Sequence, residues 1–258
     1  MKRRERKYAS DLNDRQWRII KPLLPSAADN QKLSLRKIVD GMLYINRTGC
    51  QWRYLPSEYP IWSSVNYHYN KWAKDGTFEK MNTILAQVER QKRGRTASPT
   101  GALIDSQSVK TTKEASEVGF DGGKWIKGHK RHVVTDTVGN MLKVVVTAAN
   151  ISDTAGGIEA LTGIKAIYPG IAKIWADGGY KEGIIVWVKD VLNAVLEVVK
   201  PEPGQKGFAV QPKRWVVERT LAWLGNYRRL SKDYERLPIN SEPMIYLAFL
   251  KTMLNRLA

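Results

Sequence analysis

Along this chain the spacing of hydrophobic positions changes once, near residue 100. Before that point it is helical. Asp11 or Asn13 can cap a short helix through Trp17, Ile19 and Ile20, closed by Pro22. Ser34 can cap a second, with Leu35, Ile38, Val39, Met42, Leu43 and Ile45, ended by Gly49. From about residue 61 to 73, Trp62, Val65, Tyr69 and Trp72 recur at i, i+3, i+7 and i+10. The other face of that helix carries Asn66, His68, Asn70, Lys71 and Lys74. Asp75-Gly76 stops it, and a fourth helix runs to about Arg90. Short helices with one basic, amide-bearing face suit a helix-turn-helix-like DNA reader.

After residue 100 the period shortens. Ala102 to Asp105 reads as an apolar strand ending in a carboxylate. His132–Asp136, Val138-Gly139-Asn140 and Met141–Ala149 read as a hairpin. Its second arm is apolar almost throughout, as in a strand covered on both faces. A helix over 153–167 follows. Ile171 to Asp177 is a second strand ending in a carboxylate, with Gly178-Gly179 allowing a tight turn. Residues 181–189 read as helix and 194–199 as strand. A last helix from Pro212 places Val217, Leu221 and Leu224 on one stripe, with Glu218 at its edge. The succession predicts a mixed sheet with packed helices, an α+β or α/β unit over residues 101–258. A small all-helical unit over 1–90 precedes it, and the polar, basic 91–100 segment reads as a linker.

Charge narrows the partners. The 258 residues carry a net charge of +17. The first 100 hold 20 Lys or Arg against 9 Asp or Glu, so positive charge is concentrated there. Such an excess points to a polyanion, foremost nucleic acid. No apolar run approaches the roughly 20 residues of a membrane span, and residues 1–7 lack the apolar core of a secretory signal. Cys50 is the one cysteine, which fits a reducing cytoplasm.

The two strand-end carboxylates and the helix carry the chemistry. Two strand ends can set Asp105 and Asp177 on one rim, and a helix packed on the sheet can bring Glu218 to them. Converging carboxylates repel unless a cation neutralises them, and hard oxygen donors favour Mg²⁺ or Mn²⁺. Two such ions can activate a nucleophile and stabilise the leaving oxygen of a phosphodiester. Asp136 and Asp153 are rival acids at turn or cap positions. Zinc is disfavoured, because His129 and His132 at i, i+3 on a strand point to opposite faces. The 124–132 run, with Lys124, Lys127, Lys130 and Arg131 around Trp125, reads as a surface gripping a phosphate backbone. Lys110, Arg214, Arg219, Arg228 and Arg229 are further candidate DNA contacts, with Asn66, Asn70, Lys71 and Lys74 on the third helix. Arg214, one turn before Glu218, can clamp a phosphate with two parallel hydrogen bonds.

These motifs resemble bacterial insertion-sequence transposases of the DDE type, in the insertion-sequence-five family, over nearly the whole chain. The 12–17, 22–25, 47–56 and 62–72 stretches resemble that family's N-terminal helical domain. Asp105-Ser-Gln-Ser-Val-Lys110 is similar to its first catalytic block, Ala176-Asp-Gly-Gly-Tyr180 to its second and Arg214-Trp-Val-Val-Glu-Arg-Thr220 to its third. Gly128-His-Lys-Arg-His132 also matches. The resemblance implies a ribonuclease-H-like catalytic fold and divalent-metal cleavage and joining of DNA at element ends. It implies catalytic and metal-binding roles for Asp105, Asp177 and Glu218 with two Mg²⁺ (or Mn²⁺) ions. The implied partners are the double-stranded terminal inverted repeats and target DNA, engaged by a homodimer at the nucleoid. Wider relatives often carry a Tyr before the Arg–Glu pair and a Lys after it; here Gln211 and Gly225 stand there. The 200–212 segment is too short for the inserted β-domain of some relatives. Two other functions are compatible with the same residues: a catalytically silent DNA-binding repressor, and a metal-dependent nuclease that cuts without joining.

Overall fold

The computed structural model describes residues 7–25, 33–199 and 214–258. Among these residues four α-helices come first: α1 (Asp14–Ile20), α2 (Leu35–Thr48), α3 (Trp62–Lys74) and α4 (Thr77–Lys92). Asn13 caps α1 in a reciprocal box with Gln16. Gly49 ends α2 in the left-handed region, at φ 74°, where a Cβ would be strained. On α3 the predicted stripe is buried at Val65, Tyr69 and Trp72.

Among the described residues six strands and five α-helices follow: β1 (Gly101–Lys110), β2 (Gly119–Asp121), β3 (Ile126–Asp136), β4 (Met141–Ala148), α5 (Asp153–Leu161), α6 (Ile164–Ile167), β5 (Lys173–Ala176), α7 (Glu182–Leu192), β6 (Val195–Val198), α8 (Arg214–Leu224) and α9 (Pro238–Leu257). The main path of the sheet is β4-β3-β1-β5-β6, with the short β2 beside β4 on the same edge of β3. β3 is antiparallel to both β1 and β4, while β1, β5 and β6 run parallel. This mixed, helix-covered sheet behind an all-helical segment is the ribonuclease-H-like arrangement.

Alternation along the strands splits the interior. Ala102, Ile104, Val134, Leu142 and Val145 face α5, α6 and α7. Val133, Met141, Val144 and Val146 face the other way, into a core shared with α1 to α4, α8 and α9. The N-terminal helices therefore close over the sheet rather than hanging from it. Asn82 Nδ2 donates to Met141 O at 2.8 Å, and Arg90 pairs with Asp136 at 2.9 Å, both buried. Among the described residues no helix is long and apolar enough to cross a membrane.

Three boundaries differ from the sequence expectation. β1 runs five residues past Asp105, so that carboxylate is mid-strand. β3 begins at Ile126, not near His132, because Ser106 to Lys110 pair with 128–132 and extend the ladder. The helix expected over 153–167 breaks at Thr162-Gly163, where Gly163 has φ +74°. The hairpin turn is as expected, and Asp136 organises it, accepting from the Val138 and Asn140 N–H groups at 2.9 Å each. Its role is structural, as its turn position implied.

Candidate active site

The backbone register sets the first two acids. Ala102 pairs with Ile174 and Leu103 with Trp175 across the parallel β1/β5 ladder. Continued by two residues, that register would bring Asp105 level with Asp177, about one strand spacing (~5 Å) apart at the backbone. Asp105 shares a face with Leu103, and Leu103 packs against Val216 and Val217 of α8. Glu218 is the next residue on that helix. All three acids are partly exposed. The turn after β5 is held by Gly179 N donating to Asp177 Oδ1 at 2.9 Å.

A fourth carboxylate borders this rim. A Cβ at Gly179 would meet Asp153 Oδ2 at 2.7 Å and Asp177 Oδ1 at 3.0 Å, so both acids close on this glycine. Ser152, not Asp153, caps α5, by accepting from Ala155 N. Asp153 instead accepts from Ser106 Oγ at 2.7 Å and lies 3.3 Å from Lys130 Nζ. The Tyr180 hydroxyl is buried without a hydrogen-bond partner. Its pKa is pushed well up, first by burial and then by the negative charges of Asp105, Asp153 and Asp177. The sequence signal for Asp153 was weak, because an acid at a helix start is ordinarily structural.

Carboxylate oxygens suit Mg²⁺ or Mn²⁺ in kind. Among the described residues, however, no three His, Cys, Asp or Glu side chains are gathered closely enough to hold a metal ion. Asp105, Asp153 and Asp177 all act on the Tyr180 hydroxyl, and Glu218 stands on α8, the helix that packs on Leu103.

The 124–132 run is corrected most. Strand β3 takes up most of it, and the pleat sends alternate residues into the two cores. His129 is buried between Asp233 Oδ2, 2.8 Å from Nδ1, and Ser116 O, 2.9 Å from Nε2. With two oxygen acceptors both ring nitrogens must donate, so the imidazole is held protonated. Burial works against that charge, but the Asp233 carboxylate and the Ser116 carbonyl, with Glu117, together outweigh it and raise the pKa. His132 points to the other face, against Thr147 and Gly156, and burial pushes its pKa down to about 4. The two histidines diverge as the strand period requires.

Three expected DNA contacts are consumed inside the protein. Lys130 lies between Asp121 and Asp153 and donates to Ile151 O at 2.9 Å. Arg131 is 1% exposed and donates to Leu230 O, with burial lowering its pKa to about 10. Arg229 is buried against Glu235 at 2.6 Å. A cation is buried only where carboxylates or carbonyls receive it; for Lys130 and Arg131 such partners come from 21 to 99 residues away, whereas Glu235 lies six residues from Arg229. Arg219 is sandwiched between the indoles of Trp215 and Trp223, with its guanidinium 4.5 and 4.7 Å from the ring centres. Lys124 Nζ donates to Ser106 O at 3.1 Å, on the strand that carries Asp105. Lys110, Lys127 and Arg228 are exposed, as are Asn70, Lys71 and Lys74; Asn66 is half-buried and accepts from Asn70 Nδ2 at 2.9 Å. The side chain of Arg214 lies outside the described residues.

A family model described as "Transposase DDE domain" matches residues 96–251, and one described as "Putative transposase of IS4/5 family" matches residues 12–82. The chain is 32% identical over 119 residues to a "Putative transposase for insertion sequence element IS402" of Burkholderia cepacia, covering 42% of this chain and 54% of that protein. It is 27% identical over 108 residues to "Uncharacterized protein y4sN" of Sinorhizobium fredii, covering 41% and 80%. It is 24% identical over 117 residues to an "Insertion element IS402 uncharacterized 16.2 kDa protein" of Burkholderia cepacia, covering 42% and 78%. The chain spans about half the length of the first of these relatives. No solved structure matches. With the DDE model covering more than half of the chain and the IS4/5 model most of its helical segment, this protein belongs to the DDE transposases of the IS4/5 family.

Proposed function

We propose that this chain binds the ends of an insertion sequence and catalyses metal-dependent DNA strand cleavage and strand transfer. The observation that supports the reading is the parallel register of β1 and β5, which, continued two residues past Leu103–Trp175, would set Asp105 level with Asp177, together with the packing of Leu103 on the helix that carries Glu218. Those three acids would hold Mg²⁺ or Mn²⁺, two ions in all. Such ions, when bound, stabilise charge on the attacking and leaving oxygens of a phosphodiester. The protein's own part is to orient the DNA. The exposed face of α3 would read the element end, Lys124 would approach the backbone near Asp105, and Arg214 would grip a phosphate beside the scissile bond. Residues 1–90 would serve as the DNA reader, 91–100 as the linker and 101–258 as the catalytic unit. The protein would act as a homodimer on double-stranded inverted repeats and target DNA, at the nucleoid in the cytoplasm.

The same DNA-binding surfaces would also serve one other reading, a catalytically silent repressor. Asp105→Asn, Asp177→Asn and Glu218→Gln each remove a charged ligand with little change of volume. In a cleavage and strand-transfer assay with element-end DNA and Mg²⁺, each should abolish product while leaving DNA binding within about twofold. A wild-type protein that binds the ends but makes no product at any Mg²⁺ concentration supports the repressor. A variant with near-wild-type cleavage removes its residue from the site. Arg214→Lys keeps the charge but loses the fork, so turnover should fall even at saturating Mg²⁺. Full rescue by Mg²⁺ would assign Arg214 to steadying Glu218 instead.

A further inference from the structure

At the far end of β1 from the core, the short β2 and the start of β3 form a ribbon. Phe120 pairs with Lys127, and residues 122–125 make its turn. Two large aromatic side chains stand out of it. Trp125 is 80% exposed and Phe120 51%, with ring centres 6.0 Å apart at 83°. Trp125 also holds φ at +55°, a left-handed conformation that costs a residue with a Cβ about 1 kcal/mol or more. An exposed indole on strained backbone contributes nothing to this fold's core. Beside it lies an open groove of about 590 Å³, whose lining among the described residues includes Lys110, Lys113 and Lys127 and no Asp or Glu. Aromatic faces among lysines match a nucleic acid strand, with rings for bases and ammonium groups for phosphates.

We propose that this ribbon is a second DNA surface, which takes an unpaired nucleotide and stacks a base on Trp125 and Phe120. The charge of the groove selects a polyanion over a protein partner. The free ring faces select unpaired over duplex DNA, because bases in a duplex are already covered by their neighbours. The proposal rests on the reading of this chain as a DNA-processing protein, but not on its catalysis.

The test is metal-free binding of the full-length chain, by fluorescence anisotropy, to a labelled thymine 20-mer and to a duplex of the same length. Base–aromatic stacking makes the expected loss for Trp125→Ala roughly five- to 100-fold on the single strand, with duplex affinity within about twofold. Trp125→Phe should keep most of the single-strand affinity. Lys110→Gln with Lys113→Gln should flatten the salt dependence on the single strand, by about 0.7 in log–log slope for each phosphate no longer neutralised. An unchanged single-strand affinity for Trp125→Ala overturns the proposal. So does an equal loss on both DNAs, which would make the ribbon a duplex grip. A change in sedimentation of Trp125→Ala without a change in DNA binding also overturns it, by making the patch an interface between copies. Because no cleavage is read, an inactive acid site leaves every one of these outcomes unchanged.

Discussion

The buried pair Arg90–Asp136 ties the helical segment to the sheet, and replacing Arg90 with Met tests whether that tie holds the two together. Arg90 Nη1 lies 2.9 Å from Asp136 Oδ2, with the two side chains 5% and 0% exposed. Arg90 Nε also donates to Thr96 O at 2.8 Å, so one guanidinium spans the end of α4, the following segment and the β3–β4 turn. Removing one partner of a buried pair costs about 3–5 kcal/mol, because the remaining charge stays desolvated. Asp136 would keep three donors, the Val138 and Asn140 N–H groups and Asn140 Nδ2. The lower end therefore applies, about 3 kcal/mol. For a chain of this size that is a fall in Tm of roughly 6–12 °C. Thermal unfolding followed by circular dichroism reads it directly. A double-mutant cycle with Asp136→Asn should show coupling above about 1 kcal/mol. A fall in Tm under about 2 °C, or additivity of the two changes, would refute the reasoning and make the pair incidental to the packing of helices on sheet.

Three further outcomes follow from the same structure. A Cβ at Gly156 would overlap the His132 ring. Gly156→Ala should then cost roughly 1–3 kcal/mol, and His132→Ala in that background should recover part of it; no loss of Tm in the single variant would contradict the packing. Glu242 accepts from Val146 N at 3.0 Å, and burial raises its pKa to about 7. Its folded pKa exceeds the unfolded value of 4.5, so the wild type should lose stability relative to Glu242→Gln as pH rises from 4.5 through 7. Urea unfolding at pH 4.5 and 8 should show that gap widening, and a constant gap would be inconsistent with a strained carboxylate. Lys71→Gln with Lys74→Gln in the full chain should lower the log–log salt slope of duplex binding by about 0.9 for each phosphate that is no longer neutralised. An unchanged slope would take α3 off the DNA.

The N-terminal helices were legible because their signals are local. Capping at Asn13, the glycine stop at Gly49 and the stripe of Val65, Tyr69 and Trp72 each depend on neighbours within a turn or two. The acid-bearing elements were legible for a similar reason, since two apolar strands and an amphipathic helix carry Asp105, Asp177 and Glu218, although β1 runs on past Asp105 and only Asp177 follows a strand end. Helix α9 offered no such signal. It is buried on nearly every side, so it has no amphipathic stripe, and Pro243 inside it argues locally against a helix, although Pro238 suits its first position. Its stability comes from packing on α4, β4 and α2.

The 124–132 run shows where local reading stops. Charge and composition place Lys130 and Arg131 on a surface, because a cation alone belongs in water. Their burial depends on acceptors brought from afar: Asp153 and Ile151 for Lys130, Gln107 and Leu230 for Arg131. The sequence by itself determined most of the element types and the change from helical to strand period near residue 100. The tertiary structure decided which cations face solvent, that the helical segment and the sheet share one core, and that Trp125 stands free. Those outcomes depend on long-range pairing across strands and on desolvation, and neither is encoded in the spacing of any one segment.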